Sequence, residues 1–261
     1  MMKRELTPVN FSNVTIGGPF WAKRTEVNRE RTIPRIYNIF EEKGQIASFK
    51  PDHWEPPKVL EPRFFGYGFV YSWIQAACFS IKTHPDKQLE KKIDDLVDLI
   101  VQRQEPDGYM PGSHRDIPPE KRLRMSLESL GGGLSSGLFE AAVTHFETTG
   151  KRDFLNVACR YADYIDGIFG SKPGKKPGYP EHEGIEMSLM KLYRVTGEKR
   201  YANLAKSFID ERGQKPNFFD QEIKEQGEDP THFWAGSYEY NQAHKPVREQ
   251  DKAVGHAVRA T

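Results

Sequence analysis

The chain has little cysteine, no long apolar run and no surplus of either charge. Its 261 residues include two cysteines, too few for a disulfide framework. Cys78 and Cys159 each sit among apolar neighbours in a helical pattern, which reads as two small buried thiols. No apolar stretch nears the roughly 20 residues of a membrane span. No apolar run follows Lys3-Arg4, so no signal peptide is visible and the cytoplasm is the default expectation. With 38 basic and 37 acidic residues the net charge is +1, which gives no footprint for nucleic acid or an anionic membrane. No His-Glu-x-x-His run and no close cysteine pair occurs, which argues against a self-contained metal site or a cysteine nucleophile in these residues. Gly131-Gly132-Gly133 lacks both the Lys-Ser/Thr that follows and the strand that precedes a phosphate loop. It reads as a flexible or closely packed start to a helix.

What the chain does have is aromatics and helical periodicity. Aromatic residues are 12% of the total, enough for a core and also for clefts that suit sugars. Residues 1–20 read as an extended lead-in, with Val14-Thr15-Ile16 alternating like a strand before Gly17-Gly18-Pro19. Residues 20–42 read as a helix kinked at Pro34. Prolines 51, 56, 57 and 62 make 50–62 a loop. Apolar spacing then predicts helices over 70–77, 89–104, 137–148, 154–168, 185–195 and 201–210. Loops lie at 111–122 and 171–181. From residue 253 the pattern reads as a helix starting with no stop signal, so the chain is expected to be the front part of something longer.

A repeat organises these helices. Thr149-Gly150-Lys151-Arg152-Asp153-Phe154 recurs 47 residues later as Thr196-Gly197-Glu198-Lys199-Arg200-Tyr201. Glycine ends one helix and the aromatic opens the next apolar face. Helix pairs of this period must stack on their neighbours, as an open solenoid or as a ring closed into an α/α barrel. Three long loops favour the barrel, whose loops gather at one rim.

Several residues could carry chemistry. His182 lies between Glu181 and Glu183 ahead of a helix, where it could bind a polyol or serve acid–base chemistry. Acidic helix capping explains the same carboxylates. His256, between Gly255 and Ala257, is either a ligand contact or a packed core histidine. His244 and Arg248 flank Pro246 on a constrained segment, with an Arg248 ion pair to Glu249 or Asp251 equally in view. Trp73 reads as core, whereas Trp54 and Trp234 lie near loops and could stack on a sugar.

These segments together resemble the N-terminal half of glycoside hydrolase family 127, the β-L-arabinofuranosidase type, once a domain of unknown function. The resemblance is carried in order by Val14-Thr15-Ile16-Gly17-Gly18-Pro19-Phe20-Trp21, Gln104-Glu105-Pro106-Asp107-Gly108-Tyr109, Phe139-Glu140-Ala141-Ala142-Val143, His182 through Glu186, and Phe208-Ile209-Asp210-Glu211-Arg212-Gly213. Its most specific stretch is Pro246-Val247-Arg248-Glu249-Gln250 through Gly255-His256-Ala257-Val258-Arg259. The resemblance implies an all-α fold, an (α/α)6 barrel of the six-hairpin toroid type, of which residues 1–261 form the N-terminal part of the catalytic domain. It implies retaining hydrolysis of terminal arabinofuranosides, with a glutamate acid/base and a zinc-held cysteine nucleophile. Those groups are expected beyond this sequence. No catalytic residue and no metal ligand is therefore assigned within it, and zinc is expected only in the complete protein. His182, His256 and, by a weaker match, Gln45 are the implied substrate contacts. The expected partner is a sugar or oligosaccharide.

The sequence also departs from the family. Ser129-Leu130-Gly131-Gly132-Gly133 stands where a His-Glu pair is usual. Residues 66–73 lack the family's Asp-Ser-Asp, and Gly184 replaces a glutamate. These losses keep two alternatives open. One is another α/α-barrel carbohydrate enzyme of the epimerase or unsaturated glucuronyl hydrolase type. The other is a non-catalytic helical sugar-binding protein.

Overall fold

The computed structural model describes residues 9, 11–50, 66–111, 122–123, 134–180, 183–225, 227 and 245–252. Among them the regular structure is helical, with one isolated bridge between Phe169 and Lys176. Among the described residues no strand pairs with Val14-Thr15-Ile16, and the Val14 amide donates to the Phe11 carbonyl at 3.0 Å. The segment is exposed and lacks the partner that a strand requires.

Helix α1 (Pro19–Val27) leads through a π-helical turn (Asn28–Thr32) into α2 (Ile33–Glu42). The expected proline kink takes this form because Pro34 has no amide hydrogen and its ring crowds the preceding turn. The turn widens, and the Ile33 amide donates to the Asn28 carbonyl, five residues back. α2 buries Ile33, Tyr37 and Phe40. Its start is tied to α3 (Gly66–Thr83) by a hydrogen bond from Trp73 Nε1 to the Ile33 carbonyl at 2.9 Å. Trp73 is core, as its spacing suggests.

Three helical hairpins follow. They pair α3 with α4 (Lys87–Arg103), α5 (Leu134–Thr149) with α6 (Asp153–Ile168), and α7 (Ile185–Thr196) with α8 (Lys199–Glu211). The short turns have local causes. Asp86 caps α4 by accepting from the Gln88 and Leu89 amides. At both copies of the Thr-Gly repeat the threonine hydroxyl donates to the carbonyl four residues back, His145 or Leu192. The same oxygen accepts from the amide two residues on, Lys151 or Glu198. Gly150 and Gly197 then take φ of 77° and 76°, a left-handed conformation open to glycine at little cost.

Successive hairpins stack in the same sense. On one layer Tyr71 of α3 lies against Gly137 of α5, Gln75 bonds Glu140 and Thr144, and Lys82 bonds the Glu147 and Thr148 carbonyls. On α5 and α7, Ser136 approaches Gly184, Ser188 bonds Glu140, and Arg194 pairs with Glu147. The residue numbers rise together, so α3, α5 and α7 run parallel. Helices α4, α6 and α8 form the second layer, and residues such as Phe139, Phe154, Leu189 and Phe208 fill the space between the layers. This is the arrangement of an α/α barrel, in keeping with the expected fold class. Its polarity places the three short turns at one rim. The connections that follow Glu42, Arg103 and Ile168 leave from the other.

α9 (Phe218–Glu225) was not legible in the pattern, being only eight residues long and preceded by Pro216. Among the described residues no helix is long and apolar enough to cross a membrane.

Candidate functional site

The rim with the long connections is built from the C-terminal ends of α2, α4, α6 and α8 and the starts of α3, α5 and α7. Two buried arginines organise it. Arg103, the last residue of α4 and 3% exposed, donates through Nη1 to the Ser48 carbonyl at 2.6 Å and through Nε to the Pro111 carbonyl at 3.2 Å. Arg212, which follows α8 and is also 3% exposed, donates to the Pro180 carbonyl. Its guanidinium meets Glu183 at 3.2 Å and Glu186 at 3.8 Å, and lies over the Tyr179 ring. Each charge gathers the acceptors that a buried cation requires.

Gln45 is on the first connection, in the turn after α2. It is 5% exposed, and its Oε1 has no hydrogen-bond partner among the described residues. Its own carbonyl accepts from Ser48 Oγ at 2.7 Å, and Ser48 is the residue that Arg103 holds. A buried amide oxygen without a partner is costly unless something binds it. His182 and His256 lie outside the described residues, as do His244, Trp54, Trp234 and the triple glycine.

Of the two carboxylates beside His182, Glu183 pairs with Arg212 and Glu181 lies outside the described residues. Glu186 accepts from the Gly184 amide at 2.9 Å at the start of α7 and faces Arg212, which is the capping role foreseen for such residues. Arg248 differs from expectation. Its Nε and Nη2 both donate to Asp210 Oδ1, at 3.0 and 2.9 Å, because the 245–250 segment lies along the end of α8. The 104–109 motif is also structural. Glu105 and Tyr109 close a turn on which Arg160 donates to the Glu105 carbonyl, and a Cβ on Gly108 would meet the Arg160 carbonyl at 2.7 Å.

Along the α3–α5–α7 layer, Glu140 is the centre of a polar belt. It accepts from Gln75 and Ser188, and Lys191 Nζ lies 3.1 Å from it. The belt ties the parallel helices together and keeps this face polar.

Neither cysteine is poised as a thiolate. Cys78 is fully buried, and desolvation, with a smaller push from Asp94, raises it to about 12. Cys159 is only half-buried, not the buried thiol its neighbours suggested. It too is raised, chiefly by desolvation. No group of three or more His, Cys, Asp or Glu side chains able to hold a metal occurs among the described residues. They do not fit the zinc site that the resemblance implies.

Comparison with known proteins decides the family. The family model described as the β-L-arabinofuranosidase GH127 catalytic domain matches residues 13–261. This chain belongs to glycoside hydrolase family 127. A curated relative, the non-reducing end β-L-arabinofuranosidase of Bifidobacterium longum subsp. longum, is 36% identical over 275 aligned positions, covering 95% of this chain and 41% of its own length. The solved structure of a GH127 β-L-arabinofuranosidase from Geobacillus stearothermophilus T6 is 38% identical with a TM-score of 0.85, covering 95% of this chain and 40% of that one. A second GH127 β-arabinofuranosidase structure is 36% identical with a TM-score of 0.79, covering 97% of this chain and 38% of that one. The chain thus spans about two-fifths of the length of these GH127 relatives.

The two arginines escaped the sequence reading. A basic residue at a helix C-terminus looks like ordinary pairing with the helix dipole. The available signal was position: each immediately precedes a long connection, and Arg212 lies within a segment that carried the resemblance.

Proposed function

We infer that this chain supplies one wall of the sugar pocket of a retaining arabinofuranoside hydrolase, with Gln45, His182 and His256 as contacts for substrate hydroxyls. The observation that carries this reading is Gln45, an amide oxygen buried at the long-loop rim with its hydrogen-bonding capacity unspent. An arabinofuranosyl hydroxyl is a donor of the right kind. The names of the relatives support arabinofuranosides as the substrate class. Residues 1–261 make up the N-terminal part of the barrel. The acid/base and the nucleophile of a two-step retaining displacement come from the remaining three-fifths of the relatives' length. Uncovered apolar side chains fit this division. Phe20 and Trp21 of α1 are exposed, Trp21 by 60%, as are Met187 and Met190 of α7.

A chimera tests the proposal. Residues 1–261 replace the corresponding part of the Geobacillus relative, and release of nitrophenol from an aryl β-L-arabinofuranoside is followed. The expected result is hydrolysis by the chimera, abolished or severely slowed by Gln45→Ala together with His182→Ala, and none by residues 1–261 alone. A chimera that melts cooperatively yet releases no nitrophenol contradicts the proposal.

A further inference from the structure

One structural device occurs twice at this rim. A buried arginine at the end of a second-layer helix reaches across the rim and grips a connection by its backbone. In each case the gripped connection carries a side chain assigned above to the sugar. Arg103 holds the Ser48 carbonyl at 2.6 Å, and Ser48 Oγ in turn holds the Gln45 carbonyl at 2.7 Å. Arg212 holds the Pro180 carbonyl and pairs with Glu183, the residues on either side of 181–182. We propose that Arg103 and Arg212 are positioning residues: Arg103 fixes the Gln45 turn so that its side chain meets the sugar in a preset geometry, and Arg212 anchors Pro180 and Glu183, the described residues that flank His182 in sequence. The proposal rests on the sugar-pocket reading above and deepens it.

Arginine's planar fork reaches two or three acceptors in fixed directions, whereas lysine's ammonium is a compact point charge on a flexible stem. Arg103 spans two separate connections at once, through Ser48 and Pro111. A loop tied this way enters binding with its ordering entropy already spent. The arginines add to modest local bracing: the Gln45 and Ile46 amides donate to the Phe40 carbonyl, and Phe49 is buried. Residues 47–49 form a single 3-10 turn, and Glu183 and Gly184 form a turn ahead of α7. Gln45 itself offers no brace through Oε1, because that atom has no partner among the described residues. The arginines touch no reacting atom in this account and act through the residues they hold.

The test uses the 261-residue chain with L-arabinose as the probe, in two arms. Hydrogen exchange compares wild type with Arg103→Lys, Ser48→Ala, Arg212→Lys and Glu183→Gln. Ser48→Ala and Glu183→Gln are the mild variants that retain the fold if a buried arginine change does not. Exchange of the 44–50 amides rises by about tenfold or more in the first two variants, and that of 183–186 in the last two, with the core helices unchanged. In the second arm, L-arabinose is titrated while the Gln45 side-chain amide signal is followed. Ser48→Ala and Arg103→Lys weaken binding by about tenfold or more, and the sugar-induced shift of Gln45 shrinks. Unchanged local exchange overturns the proposal. Faster local exchange with wild-type affinity and an unaltered Gln45 shift also overturns it, because the arginines would then be structural only. Absence of sugar binding by wild type, with the exchange differences present, instead defeats the sugar-pocket reading and removes the positioning role with it.

Discussion

His145 makes the stability of this fold depend on pH in a calculable direction. It lies on α5 with no exposed surface, near the Phe154 ring, and neither ring nitrogen has a hydrogen-bond partner among the described residues. Desolvation is the largest influence and lowers its pKa below the ordinary 6.5. Asp94, Asp153 and Glu90 oppose that shift, and Lys151 adds to it. The folded state therefore holds the neutral ring, and the unfolded state takes up the proton first as pH falls. Stability is complete above the unfolded pKa and is lost as pH falls from there towards the folded pKa. The loss runs at about 1.4 kcal/mol per pH unit between the two values. For a chain of this size that is a fall in Tm of about 3–5 °C per unit. His145→Leu removes both the proton site and two buried polar atoms without partners. The variant should be more stable at neutral pH by about 1–3 kcal/mol, and its advantage should widen from pH 6.5 to 5. Urea unfolding at half-unit pH intervals reads both effects. Parallel stability curves for wild type and variant across that range refute the reasoning, because other titrating groups cancel in the difference.

Two further substitutions probe the scaffold. Trp73→Phe deletes the Nε1 hydrogen bond to the Ile33 carbonyl and replaces the indole by a smaller phenyl ring. It should lower unfolding free energy by about 1–2 kcal/mol in urea titration, and an unchanged midpoint would show that the bond adds nothing. Gly213→Ala places a Cβ 2.2 Å from the Lys245 carbonyl oxygen at a φ of 84°, so backbone must move. It should cost more than about 1 kcal/mol and, by hydrogen exchange, loosen 245–250 together with the Arg248–Asp210 pair. Retained protection there would contradict the close approach.

Much of the fold was legible because helical periodicity and turn chemistry agree. The Thr-Gly repeat announced two hairpin turns, and the helix expected over 89–104 matches α4 (Lys87–Arg103) to within two residues at each end. Legibility failed where tertiary partners decide. Val14-Thr15-Ile16 alternates like a strand but has no described neighbour to pair with, and Arg248 chose Asp210, which is 38 residues away, over the carboxylates beside it. The site was legible only as residue types. Gln45 could be matched but not placed, and its buried, unpartnered oxygen is a property of packing. The arginine grips join residues up to 55 apart in sequence, a separation that no local pattern encodes.

The most direct test of the sugar-pocket reading is an isotope-edited titration of the 261-residue chain with L-arabinose. The account predicts saturable shifts in the Gln45 side-chain amide and in the neighbouring amides of 44–50, with the amides of Gly150 and Gly197 at the opposite rim silent. Shifts confined to the Gly150 and Gly197 rim, or none at all from a chain that unfolds cooperatively, would contradict it.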